Sequence, residues 1–325
     1  MAASPTSLRF PYSRVLLPRT RLAYVHVRNL LTDAKRDRAA RISGYVAVSL
    51  PEELVVLYMV GGEVANATIR DARGWRAVAI ASALEKVPPE PEYGEICFHE
   101  ADPEQLACMF ATQATLPEPW PTGMAPQDPA AVFPYLMSTV FDGVLEIIAN
   151  DNVNYLSFRN GSVSRAFLAS SHHGTVVDRV AKLFARESRS GELYVERWGA
   201  PAPLPVQAPP ALVQAYRDLT SALVRRLVVQ GRESAPAIAE HARQNLLGAH
   251  PALDSFSFSG RPTKEPLADT RTLTEAVAAW IREVMWASVD HEIVAPEAIL
   301  RELTWDRRHM FQSAGLYDQL PWKVA

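Results

Sequence analysis

Residues 44–67 and 143–166 spell the same frame 99 positions apart, and no gap is needed to align them. Gly44 corresponds to Gly143, Leu57 to Leu156, Gly62 to Gly161, Val64 to Val163 and Ala67 to Ala166. A repeat settles organisation before function, because whatever recurs must be a unit the chain uses twice. What recurs here is turn chemistry and apolar periodicity. No catalytic constellation recurs with it.

Each copy reads as a three-strand meander, over about 44–50, 54–60, 63–69 and about 143–149, 153–159, 162–168. Asn160-Gly161 is a strong hairpin signal, since a type I′ turn needs positive φ at both central residues. Gly61-Gly62 meets the same demand in the first copy. Beyond the meanders, 75–87 and 175–186 have helical periodicity. Short strands follow, Gly94–Phe98 matching Gly191–Val195. Asp102-Pro103-Glu104-Gln105 has an N-cap residue followed by Pro at the first helical position. A longer helix starts near Pro209-Pro210. Leading helices are expected over about 20–40 and 129–140. The unit is thus β-β-β-α-β-α, and the fold class expected is α+β.

The division that follows is a basic N-terminal arm (1–19), a first repeat domain (20–116), a Pro-rich linker (117–128), a second repeat domain (129–230) and a mainly helical C-terminal region (231–325). In the last, 234–247, 273–289 and 295–310 read as helices and 254–260 alternates like a short strand. Trp280, Trp286, Trp305 and Trp322 make this region aromatic, which suits either core packing or a partner-docking face.

The frame Ser43-Gly44, Leu57, Gly61-Gly62, Val64, Ala67, repeated as Asp142-Gly143, Leu156, Asn160-Gly161, Val163, Ala166, resembles the PATAN-type domain of bacterial signalling proteins. The resemblance covers roughly 40–105 and 139–200. It implies a protein-interaction module. The receiver domain that often accompanies the family is not recognisable in this chain.

Composition narrows the classes. The chain is 48% hydrophobic and 21% charged, ordinary globular usage, so a core needs no disulfide or metal staple. Two cysteines, Cys97 and Cys108, suit a reducing compartment, and no secretory signal or apolar run of membrane-spanning length occurs. A cytoplasmic protein is expected, with no membrane insertion. Residues 1–43 carry nine basic residues against Asp33 and Asp37, yet the whole chain is net −3. Nucleic acid is therefore not the expected partner.

Gly44, Gly61, Gly62, Gly143, Asn160 and Gly161 are assigned to structural turns. Ligand or interface candidates are Arg159 and Arg165, which suit an anion, the pair His172-His173, and Trp280 and Trp305. Cys97 with His99 is the one nucleophile-and-base pair within a strand, and Asp290-His291-Glu292 is the densest run of metal-ligating types. Phosphate-loop and nucleophile-elbow motifs are missing. The expectation is a non-enzymatic signalling or scaffold protein without catalytic residues, cofactor or metal. Its partners would be other proteins, of signalling or motility systems, and homo-oligomers are compatible with it. A nucleotide- or ligand-binding regulatory pair is the alternative, and an enzyme using Cys97 and His99 the third.

Overall fold

The structure, a computed structural model, describes residues 8–36, 41–88, 92–169, 174–185, 192–256, 264–288 and 295–324. Its elements begin with β1 (Arg14–Arg21) and α1 (Val27–Arg36). The first meander follows as β2 (Gly44–Ser49), β3 (Leu54–Val60) and β4 (Glu63–Asp71). Next come β5 (Gly74–Val78), α2 (Ile80–Lys86), β6 (Glu95–Glu100) and α3 (Pro103–Ala114). The second copy supplies α4 (Pro129–Ser138), β7 (Gly143–Ala149), β8 (Asn152–Arg159), β9 (Ser162–Phe167), α5 (Val176–Phe184) and β10 (Tyr194–Gly199). The fold is α+β. Two antiparallel sheets form, ordered β1-β6-β2-β3-β4-β5 and β10-β7-β8-β9.

The 99-residue offset holds in the ladders. Gly44 lies opposite Glu100 and Gly143 opposite Gly199. A bulge interrupts β3–β4 after Tyr58 and β8–β9 after Ser157, again 99 residues apart. β10 therefore corresponds to β6 with Glu95 matching Tyr194. The expected match of Gly94–Phe98 to Gly191–Val195 followed a shared Gly-Glu pair rather than the ladder, and is corrected here. A second correction concerns 75–87. Its first part is β5, paired to β4 through a turn whose Gly74 has φ of +93°, and only Ile80–Lys86 is helix.

Contacts divide the described chain into two units, 1–78 with 83–205, and 79–82 with 206–325. Both sheets belong to the first. β2 and β3 are apolar on both faces because both faces are covered. Val46, Val48, Val55, Leu57 and Met59 pack with Leu22, Val27 and Ala34 on one side. Tyr45, Ala47, Leu54, Val56 and Tyr58 face the other way, toward Leu106, Cys108 and Met109 of α3. That same cluster takes in Val144, Val153, Tyr155 and Phe167 of the second sheet, so α3 is shared by both sheets. The far face of the second sheet is closed by Val132 and Leu136 of α4 and Leu183 and Phe184 of α5.

The basic arm is structured in its described part. Leu8 and Phe10 are buried in the shared layer, where the Tyr45 hydroxyl meets the Phe10 and Pro11 carbonyls. Arg14 and Arg19 of β1 pair with Glu100 and Glu95, and Lys35 pairs with Glu63. Three of the nine basic residues of 1–43 are thus met by acids of the first copy.

The second unit is helical. It comprises α6 (Pro210–Val229), α7 (Ala235–Leu246), α8 (Thr270–Ser288), α9 (Pro296–Thr304) and α10 (Arg308–Ser313). α8 is its axis, burying Leu273, Val277, Trp280, Ile281, Val284 and Met285 against the other helices. The single helix expected through Met310 is instead broken by a 3-10 turn at Trp305–Arg307. Asp254 and Ser255, expected in a strand, lie in a 3-10 turn. No described helix is long and apolar enough to cross a membrane.

Candidate functional site

The repeated residues serve the backbone. A Cβ on Gly44 would stand 2.0 Å from the His99 carbonyl oxygen, and one on Gly143 2.2 Å from that of Trp198. These two glycines open strands rather than turns, and close strand approach is what requires them. The turn glycines do the complementary work. Gly62 and Gly161 have positive φ and donate their N–H groups to the Ile42 and Phe141 carbonyls. One residue on, Ser43 Oγ accepts from Gly61 N at 3.4 Å and Asp142 Oδ1 accepts from Asn160 N at 2.6 Å. The frame is therefore a hairpin turn tied to the residues that precede its own first strand. Asp142→Ala is expected to cost about 1 kcal/mol, the net worth of one such bond, read as a lowered urea midpoint at unchanged slope.

Where the copies differ, a cleft opens. Pro103, Glu104, Asp142, Phe158, Arg159 and Pro201 are among the residues lining a space of about 610 Å³. In the first copy the residues after β6 turn at once into α3, with Asp102 as N-cap. In the second, Ala200, Pro201 and Pro203 lie outside helix and strand and line the cleft. Prolines lack the N–H groups a helix interior needs. Its charges are mostly committed. Arg165 pairs with Asp102 at 3.0 Å and Glu104 at 3.2 Å, and Ser157 Oγ donates to Glu104 at 2.9 Å. Against the upward push of partial burial, Arg165 and the Glu104 and Gln105 amides hold the Asp102 carboxyl below its usual range. Arg165 is thus a clamp between copies. Arg159, exposed on the rim, is the cation that faces the cleft.

Cys97 and His99 share a face of β6, as alternation requires, but burial raises the Cys97 thiol and lowers the His99 imidazole. His99 Nδ1 lies 2.9 Å from the Tyr45 hydroxyl, and its ring packs 4.4 Å from that of Tyr12. A thiol held protonated beside a neutral, engaged imidazole is a poor nucleophile. Among the described residues no three His, Cys, Asp or Glu side chains gather as a metal site. His172, His173 and the run Asp290-His291-Glu292 lie outside the described residues.

Sequence reasoning missed a polar layer inside the shared core. The Tyr58 and Thr68 hydroxyls both donate to Gln113 Oε1, at 2.7 and 2.6 Å. Glu146 on β7 is buried beside Thr112 of α3, with Tyr155 and Glu196 as its cross-strand neighbours. Desolvation pushes its carboxyl up to about 7, with Glu196 adding to the rise and Thr112, Tyr155 and Arg70 opposing it. The available signal was that Val144–Ala149 is apolar on both faces, so a glutamate there has no solvent face to occupy.

The tryptophan candidates separate. Trp280 is fully buried and donates Nε1–H to the Ala239 carbonyl at 2.9 Å. Trp305 is 64% exposed and Trp286 62%. Trp286 meets Trp322 edge to face at 6.2 Å. Compared with protein-family models, curated protein sequences and solved structures, the chain shows no match.

Proposed function

We propose that this chain is a non-enzymatic scaffold of bacterial signalling, in which two PATAN-like repeats build a rigid body and the helical C-terminal unit docks partner proteins in the cytoplasm. The observation that carries the proposal is the exposure of Trp286 and Trp305 on that unit while Trp280 fills its core. Tryptophan left in water costs apolar hydration and is favoured where a partner will cover it. The frame's own residues support the same conclusion, since they are spent on strand and turn geometry. A photo-crosslinking residue at 286 or 305 is expected to trap a discrete protein adduct in cells, and one at exposed Tyr24 is not. With the partner purified, Trp305→Ala should weaken binding by about 2 kcal/mol, or roughly 30-fold. Two positions that trap nothing would remove the proposal.

The cleft favours a second reading, a regulatory ligand site using Arg159. A nucleotide that raises apparent stability in the wild type and not in Arg159→Ala would select it.

A further inference from the structure

The shared layer between the sheets contains a carboxyl group that no cation neutralises among the described residues. Glu146 projects from β7 toward α3, and strand pairing sets its neighbours: Glu196 of β10 on one side and Tyr155 of β8 on the other. From α3 it meets Thr112, with Cys108 near the Tyr155 ring. From the first sheet it is faced by Tyr58 of β3 and Arg70 of β4, and Arg70 also feels Asp151 of the β7–β8 turn. Arg70 forms no salt bridge with it. Its guanidinium stands over the Trp75 ring at 6.0 Å, and its buried Nη1 makes no hydrogen bond among the described residues. Gln113 Nε2 is likewise buried without a hydrogen-bond partner among them, while the Thr112 and Tyr155 hydroxyls lie against the Glu146 carboxyl. A buried carboxylate so placed is costly, whereas the neutral acid is not. Glu196, one strand away, lies at the solvent edge of the layer, and partial burial raises its own carboxyl as well.

We propose that the joint between the two sheets is proton-gated: Glu146 holds a proton when α3 packs between them, and losing that proton loosens the joint. The direction follows from the two states. In the unfolded chain the carboxyl ionises near its ordinary 4.5, and in the folded protein near 7. Between these values the folded state binds the proton and the unfolded state does not. Stability therefore falls as pH rises through this window and levels off above it. His99, lowered by burial, contributes the opposite sign below its usual range, and Glu196, raised by burial, contributes the same sign above its own, so the effect is read as the difference between wild type and Glu146→Gln.

The test is urea unfolding of the full chain between pH 6 and 8, with hydrogen exchange of α3 amides followed in parallel and corrected for intrinsic rates. The wild-type folding constant is expected to fall by about tenfold more than that of Glu146→Gln, and α3 protection with it. Equal slopes in the two proteins would overturn the proposal. Should Glu146→Gln fail to fold, Glu196→Gln, at an exposed site, decides. Removing the neighbouring charge must move the wild-type drop to lower pH, and an unmoved drop would overturn the proposal.

Discussion

Trp280→Ala is expected to lower the stability of the helical unit by about 4 kcal/mol, the range measured for emptying a fully enclosed tryptophan site. Two losses combine. The side chain sits at 0% exposure on α8, the helix around which the unit is built, so its removal leaves a void among Val277, Ile281, Val284 and neighbouring helices. The Ala239 carbonyl on α7 also loses its indole donor. Trp305→Ala removes an equal volume from an exposed site and should shift stability by less than about 0.5 kcal/mol. Denaturation followed by hydrogen exchange in α7 and α8 reads both variants. Similar losses would mean that Trp305 is packed rather than offered to a partner.

Gly143→Ala is expected to cost about 3 kcal/mol, as overpacking against atoms that cannot retreat. The added methyl would lie 2.2 Å from the Trp198 carbonyl and 2.4 Å from Phe141 Cζ. The first obstacle is ladder backbone, so β10 would have to leave β7. Gly248→Ala is the control, because a Cβ there meets nothing within 4 Å. Thermal unfolding should separate the two substitutions clearly, and a neutral Gly143→Ala would mean that the two strands can move apart at little cost.

Much of this architecture was legible. Alternation and the Gly-Gly and Asn-Gly turns placed all six meander strands, because each strand's pattern is local. The Asp102 cap placed the start of α3 for the same reason. What escaped is non-local. Trp75 to Val78 has spacing compatible with the helix that follows, and only the Asp71–Gly74 turn marks it as a strand. Gln105, Thr112 and Gln113 read as a polar helix face, yet each is buried: Gln105 donates to the Pro11 carbonyl, Gln113 accepts from Tyr58 and Thr68 of the first sheet, and Thr112 lies beside Glu146 of the second. Glu146 was hidden in the same way. Alternation assigns a side chain to one face but does not say what covers that face. The cleft arises from a difference between copies, helix against proline-rich loop, that the matching residues do not show.

The sharing of α3 makes the two copies unequal during synthesis. The first sheet and α3 leave the ribosome complete, with one side of the helix still bare, and β7 and β8 are made afterwards against it. The first copy is thus host and the second guest. The order reverses at the chain's beginning. Arg9 takes its backbone partners from Asp151 and Val153, so a segment made before either sheet must wait for the second sheet before it can be seated. The earliest-made described residues are in this sense a closing stitch, drawn through only when both halves of the duplication exist.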